Sequence, residues 1–164
     1  MLGAEFLQSA VYLYFKRAVL DRDIAALRHA GYRIVAVDAS GWADVTDMHR
    51  DLAKAFDFPA HYGQNWAALN DCLSDVRAFY WGLPAGTLKV VMVLRRFDIF
   101  AAKCPDEAHL LLDIYAGNQR DALIGGDHLI CLVQSDNPRL QLAPVGASSA
   151  QWNRDEWLDR NRGL

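Results

Sequence analysis

Cysteine is scarce in this chain. Three occur in 164 residues, at positions 72, 104 and 131, odd in number and far apart. They offer neither the CxxC spacing of a zinc site nor an even disulfide framework, so reduced thiols in a cytoplasmic setting are expected, with no metal and no cofactor. Long hydrophobic runs are missing too. The apolar run at residues 10–15 is far too short to cross a bilayer. It precedes the basic pair Lys16-Arg17, the reverse of the order in a secretion signal, so neither membrane attachment nor export is expected. No HExxH, GxSxG, P-loop or GxGxxG motif occurs. His49, His61 and His109 lie near aspartates in sequence, but that is generic acid–base potential and points to no reaction. There is no basic excess either. A net charge of −3 gives no electrostatic footprint for nucleic acid.

What is present suits a globular α/β domain. Hydrophobic residues make up 52% and charged residues 23% of the chain, which permits a real core and argues against disorder. Charge is unevenly placed. Residues 38–75 carry seven Asp against one Arg and one Lys, a local net of −5, which leaves +2 elsewhere. An acidic segment of this kind suits a cationic partner, or simply a solvated helix face.

Periodicity places the elements. Val11-Tyr12-Leu13-Tyr14-Phe15 is aromatic and strand-like. Asp23 is placed to cap a helix through Ile24, Ala25, Ala26, Leu27 and His29, with Gly31 at its stop. Residues 33–37 form a short β-branched strand. Asp44, with Asp47 three places on, resembles a capping box for a helix with Val45, Met48, Leu52, Ala55 and Phe56 on its core face. Residues 57–63 form a loop in which Gly63 is expected to take a positive φ. Asn65 caps another helix, reaching about Val76. Residues 88–94 are the clearest strand. A helix over 106–123 turns Leu110, Leu111, Ile114 and Tyr115 inward and ends at Gly125-Gly126, before a strand over 128–134. Alternating strands and helices of these lengths imply parallel pairing through crossovers. Beyond residue 136 a linker is expected, then a terminal helix at about 151–160 presenting Trp152 and Trp157.

The helix after Asn65 decides the functional reading. At about 100° per residue, Trp66, Leu69, Cys72, Leu73 and Val76 share a buried side. Ala67, Asn70, Asp71 and Ser74 lie opposite. Small neighbours leave the Asp71 carboxylate accessible, and its two oxygens can accept charge-assisted hydrogen bonds from Arg, Lys or His⁺.

The stretch Asp57-Phe58-Pro59-Ala60-His61-Tyr62-Gly63-Gln64-Asn65-Trp66-Ala67-Ala68-Leu69-Asn70-Asp71-Cys72-Leu73 resembles the signature of barstar-family ribonuclease inhibitors. In that signature a Tyr-Gly-x-Asn loop leads into a helix carrying Leu-x-Asp-Cys-Leu. A weaker likeness extends from Tyr32 to Ser135. The resemblance implies two layers around a small, three-stranded parallel sheet packed with helices. It divides the chain into an N-terminal extension at 1–31, a barstar-like domain at 32–135, and a C-terminal linker and short helix at 136–164. It also implies an intracellular, non-enzymatic inhibitor of a secreted, basic ribonuclease or related toxin, with no direct nucleic acid or membrane partner.

By position, Asp71 then stands where the RNA phosphate would lie. His61 matches an aromatic contact, Tyr62, Gly63 and Asn65 the contact loop, and Ser74 a contact hydroxyl. This chain departs from the family at Ala67, where a second acid is usual, and at Asn70, a partner-contact position where an exposed tryptophan is usual. It also has no acid around residues 116–120 to match a late glutamate contact. These departures keep open a second reading, an adaptor or immunity protein whose partner is not a ribonuclease.

Overall fold

The computed structural model describes residues 3–76 and 88–164. The chain runs through β1 (Tyr12–Tyr14), α1 (Arg17–His29), β2 (Arg33–Asp38), α2 (Val45–Phe56), α3 (Trp66–Val76), β3 (Lys89–Arg95), α4 (Phe97–Lys103), α5 (Pro105–Ile124), β4 (His128–Gln134) and β5 (Gln151–Trp152). The strands form one sheet in the order β2-β3-β4-β1-β5, and every pairing is parallel. Among the described residues no helix is long and apolar enough to cross a membrane.

Side-chain alternation divides the core. Val90, Met92 and Leu94 of β3 join Leu129, Cys131 and Val133 of β4 in a cluster with Met48, Leu52, Leu69, Leu111 and Tyr115. The intervening Val91, Val93, Ile130 and Leu132 pack against Leu20, Ile24 and Leu27 of α1, with Tyr12 and Tyr14 of β1. Successive strand residues point to opposite faces, so α1 covers one face and α2, α3 and α5 cover the other.

This corrects several expectations within the right class. The sheet has five strands where three were expected, because β1 and β5 add to the β4 edge. Cover by α1 adds a third layer to the two expected. The terminal helix is absent: Gln151–Trp152 form β5 and only a 3₁₀ turn follows, at Asp159–Arg162. Leu110, expected inward, is 37% exposed. The short helix α4, which buries Phe97 and Phe100, was not anticipated.

Asp23 is not a cap. It lies in mid-helix, where its carboxylate accepts a hydrogen bond from the Tyr14 hydroxyl at 2.8 Å and an ion pair from Arg22 at 2.7 Å. The helix begins six residues earlier, with no side-chain cap of its own at Lys16. Glu156 supplies the acceptor from far along the chain. Its carboxylate accepts the N–H groups of Phe15 at 2.9 Å and Lys16 at 2.7 Å, and the Asn153 amide at 2.6 Å. The reach-back of a capping-box glutamate is thus made by a residue distant in sequence. Asn153 also donates to the Leu13 carbonyl, so the C-terminal segment holds β1 and the start of α1 together.

Glu156 is 1% exposed, so its removal leaves buried donors without acceptors. Glu156→Ala is expected to lower unfolding free energy by about 3 kcal/mol, read from the urea midpoint. A loss under about 0.5 kcal/mol would show that the clasp contributes little.

Candidate functional site

The acidic loop and α3 are shaped by two helix termini. At the end of α2, Asp57 takes a left-handed conformation (φ 58°), and the Phe58 N–H reaches back to the Ala53 carbonyl at 2.9 Å. The chain then turns at Pro59, whose carbonyl accepts the Tyr62 N–H at 2.9 Å. Asn65 starts α3 as expected: its side-chain oxygen accepts the Ala68 N–H at 2.9 Å, satisfying a donor the first turn would leave unpaired. The same amide donates to the Gly63 carbonyl at 3.2 Å.

That second bond explains Gly63, though not in the way anticipated. The left-handed residues of this stretch are Asp57 (φ 58°) and Gln64 (φ 48°), and Gly63 has no positive φ. A Cβ on Gly63 would sit 3.0 Å from the Asn65 amide nitrogen. A larger residue here would crowd the Asn65 amide, and glycine leaves that approach open.

The loop is anchored from beneath. His49 of α2 is 2% exposed and its Nδ1 is hydrogen-bonded to the Tyr62 hydroxyl. The imidazole packs edge-on against Trp66, the first residue of α3, with ring centres 5.2 Å apart. Tyr62 packs on Phe58 at 5.0 Å, and Phe58 stacks on Phe56 at 5.4 Å. One histidine therefore joins α2, the loop and α3. Burial lowers its pKa below the ordinary imidazole value and raises that of Tyr62, so both groups are neutral at pH 7.

Along α3, Leu69, Cys72 and Leu73 are buried and Trp66 is half-buried; the Val76 side chain lies outside what is described. Burial, with Asp75 and Asp71 nearby, pushes the Cys72 thiol up, which makes it unreactive. The opposite side presents Ala67, Asn70 and Asp71, all exposed, with Ser74 half-buried. His61 and Gly63 are exposed on the loop and Tyr62 is half-buried. Sequence reasoning missed two residues that shape this face, His49 and Asn118. Asn118 of α5 is 3% exposed and donates to the Asn70 side-chain oxygen at 3.0 Å and to the Ile114 carbonyl at 3.0 Å. Asn70 is thus partly committed to holding α3 on α5. No local pattern signals this, because the two asparagines lie on different helices.

The acids of the segment fall into two groups. Asp38 is ion-paired with Arg96 and accepts the Ser40 N–H; although partial burial opposes its charge, these partners hold its pKa at about 2. Asp47 and Asp51 pair with Arg50, and Asp51 also accepts the Trp42 indole N–H. Asp44, which caps α2, and Asp57, Asp71 and Asp75 are exposed, and among the described residues no cation pairs with them. Asp71 stands between the loop and the far end of α3, on a helix whose other side is fixed in the core.

Comparison with protein families matches residues 32–134 to the family described as Barstar (barnase inhibitor). No curated protein matches the chain. The match spans β2 to β4 and so includes the loop, α3 and α5.

The lowered pKa of His49 has a defined sign. The unfolded chain takes up a proton at its ordinary pKa of about 6.5, above the folded value, so unfolding is favoured as pH falls through that range. The contribution of His49 is complete above about pH 6.5 and is lost progressively below it, down to the folded pKa. His128, lowered chiefly by burial and further by Lys89, acts in the same direction. The urea midpoint is expected to fall on acidification from pH 7, and His49→Gln is expected to flatten part of that slope. An unaltered slope in the variant would place the effect elsewhere.

Proposed function

This chain belongs to the barstar family over residues 32–134, and from that premise we propose that it is an intracellular inhibitor that covers the active site of a secreted, basic ribonuclease. Asp71 carries the reading. Its carboxylate is exposed on a helix rigidly backed by the core, and among the described residues it has no internal cation. A short acid so presented can enter a cleft built for phosphate and accept hydrogen bonds from the arginine, lysine or protonated histidine that would hold RNA. Substrate is then excluded both by bulk and by occupation of the phosphate subsite.

The loop provides the rest of the contact in this proposal. His61 and Asn65 face solvent beside Asp71 in sequence and offer a ring and an amide edge. Tyr62 has its hydroxyl turned to His49, so it contributes shape and rigidity more than a hydrogen bond. Gly63 lets the backbone approach closely, and Ser74 extends the face along α3. The unpaired acids Asp57, Asp71 and Asp75 put negative charge on the approach, which steers a basic partner.

A second reading is favoured by Ala67 and by the Asn70–Asn118 bond. The first removes a charge and the second occupies an anchoring position with a residue tied to α5. In that reading the chain is an adaptor or immunity protein for a partner other than a ribonuclease. The family assignment by itself makes an inhibitor, and not an enzyme, the role of its members.

Titrating the chain against a barnase-like ribonuclease separates the two. Under the inhibitor reading RNA cleavage stops at stoichiometric addition. Asp71→Ala then weakens binding by at least about 3 kcal/mol, on the order of a hundredfold in Kd, because it leaves a buried cation of the enzyme unpaired. Inhibition that survives the substitution undiminished would remove Asp71 from the mechanism. Stable complex formation without loss of ribonuclease activity would favour the adaptor.

Steering has its own signature. The association rate is expected to fall steeply with added salt while dissociation changes little. An association rate that stays flat from low to high salt would rule steering out.

A further inference from the structure

The segments outside the family match do more than cover the sheet. A cleft of about 190 Å³ opens where the two chain ends meet. All of its lining comes from residues 5–23 and 151–157, before and after the matched region. Its apolar lining is aromatic: Phe6, Tyr12, Trp152 and Trp157. Its charged lining is Glu5, Asp23 and Arg154, so acids outnumber bases.

Trp157 is the residue that stability does not account for. It is 61% exposed, although the backbone beneath it is fixed, with its carbonyl accepting a bond from Arg162 at 3.2 Å. An aromatic side chain standing in water on the rim of a cavity is placed to contact a ligand there. The rings here already act as cation receptors. The Arg162 guanidinium lies 4.3 Å from the centre of the Trp152 ring, within the range of an attractive cation–π contact.

We propose that this cleft is a second binding site, for a small alkylated ammonium ion. The chemistry of the lining narrows the ligand. Net acidic, aromatic walls favour a cation over an anion or a neutral ring. The lining carboxylates are already engaged: Glu5 pairs with Arg154 at 3.1 Å, and Asp23 with Arg22 and the Tyr14 hydroxyl. Both oxygens of Asp23 are taken, and Arg154 engages one of the two Glu5 oxygens, so few carboxylate acceptors remain for the several N–H groups of a guanidinium or primary ammonium. A quaternary ammonium has none, and its methyl groups suit aromatic walls. The volume, below that of a site for a drug-sized molecule, limits the ligand to a small one.

The test is calorimetric titration of the full chain with choline chloride and tetramethylammonium chloride, at ionic strength matched with sodium chloride. The neutral isostere 3,3-dimethylbutan-1-ol is the control. The cations are expected to bind saturably and about tenfold more tightly than the isostere. Trp157→Ala is expected to weaken them about tenfold with an unchanged urea midpoint, because the ring is exposed. Should that variant fold poorly, Glu5→Gln, at a half-buried position, provides the second measurement and is expected to reduce cation affinity without affecting the isostere. Absence of saturable binding, equal binding of the isostere, or full affinity retained in both variants would overturn the assignment.

Discussion

A parallel sheet whose central strands are buried on both sides cannot leave either face to water, and this constraint organises the molecule. Residues 90–94 of β3 and 129–133 of β4 are apolar at every position and buried. The family-matched region supplies α2, α3 and α5 for one face. The other face needs α1, and α1 needs β1 to join the sheet beside β4 and Glu156 to receive the N–H groups at its start. The terminal segments are therefore integral to the sheet. Their own packing leaves the aromatic cleft between them.

Where structure rests on neighbours in sequence, it was legible beforehand. The Asp44 cap, the Asn65 cap, the strands at β3 and β4, and the orientation of α3 all follow from contacts within a few residues, and each stands as read. Where structure rests on distant partners, the pattern was silent. Asp23 looked like a cap because an acid precedes an apolar run, yet a buried tyrosine and a neighbouring arginine claim it. β5 is two residues long, too short for any alternation to register. Gly63 was assigned to backbone conformation, whereas the demand on it comes from the Asn65 side chain.

The proposed recognition face combines a fixed scaffold with a bare charge. Nearby acids of the same segment are neutralised in place, Asp38 by Arg96 and Asp47 by Arg50, which leaves Asp71 with Asp44, Asp57 and Asp75 to define the field. His49 contributes from below by coupling the loop and α3 into one unit, so the spacing between His61, Asn65 and Asp71 is set before any partner arrives. Preorganisation of this kind reduces the ordering cost of association. The single buried imidazole makes the same face sensitive to acid. Asn118 extends the arrangement to α5, through a bond that a bulky side chain at position 70 could not make.

The position of β1 has a consequence for the order in which the molecule can assemble during synthesis. It leaves the ribosome before the other four strands of the sheet, yet among the described residues its neighbours are β4 and β5, the last two of the five to be made. Such pairing closes a loop of well over a hundred residues, a kind of contact that slows folding. Three aromatic or aliphatic side chains of β1 therefore await burial until β4 and β5 are made, and α1 waits with them for Glu156, 140 residues beyond Lys16. The region from β2 to β4 carries its own contacts and faces no such delay.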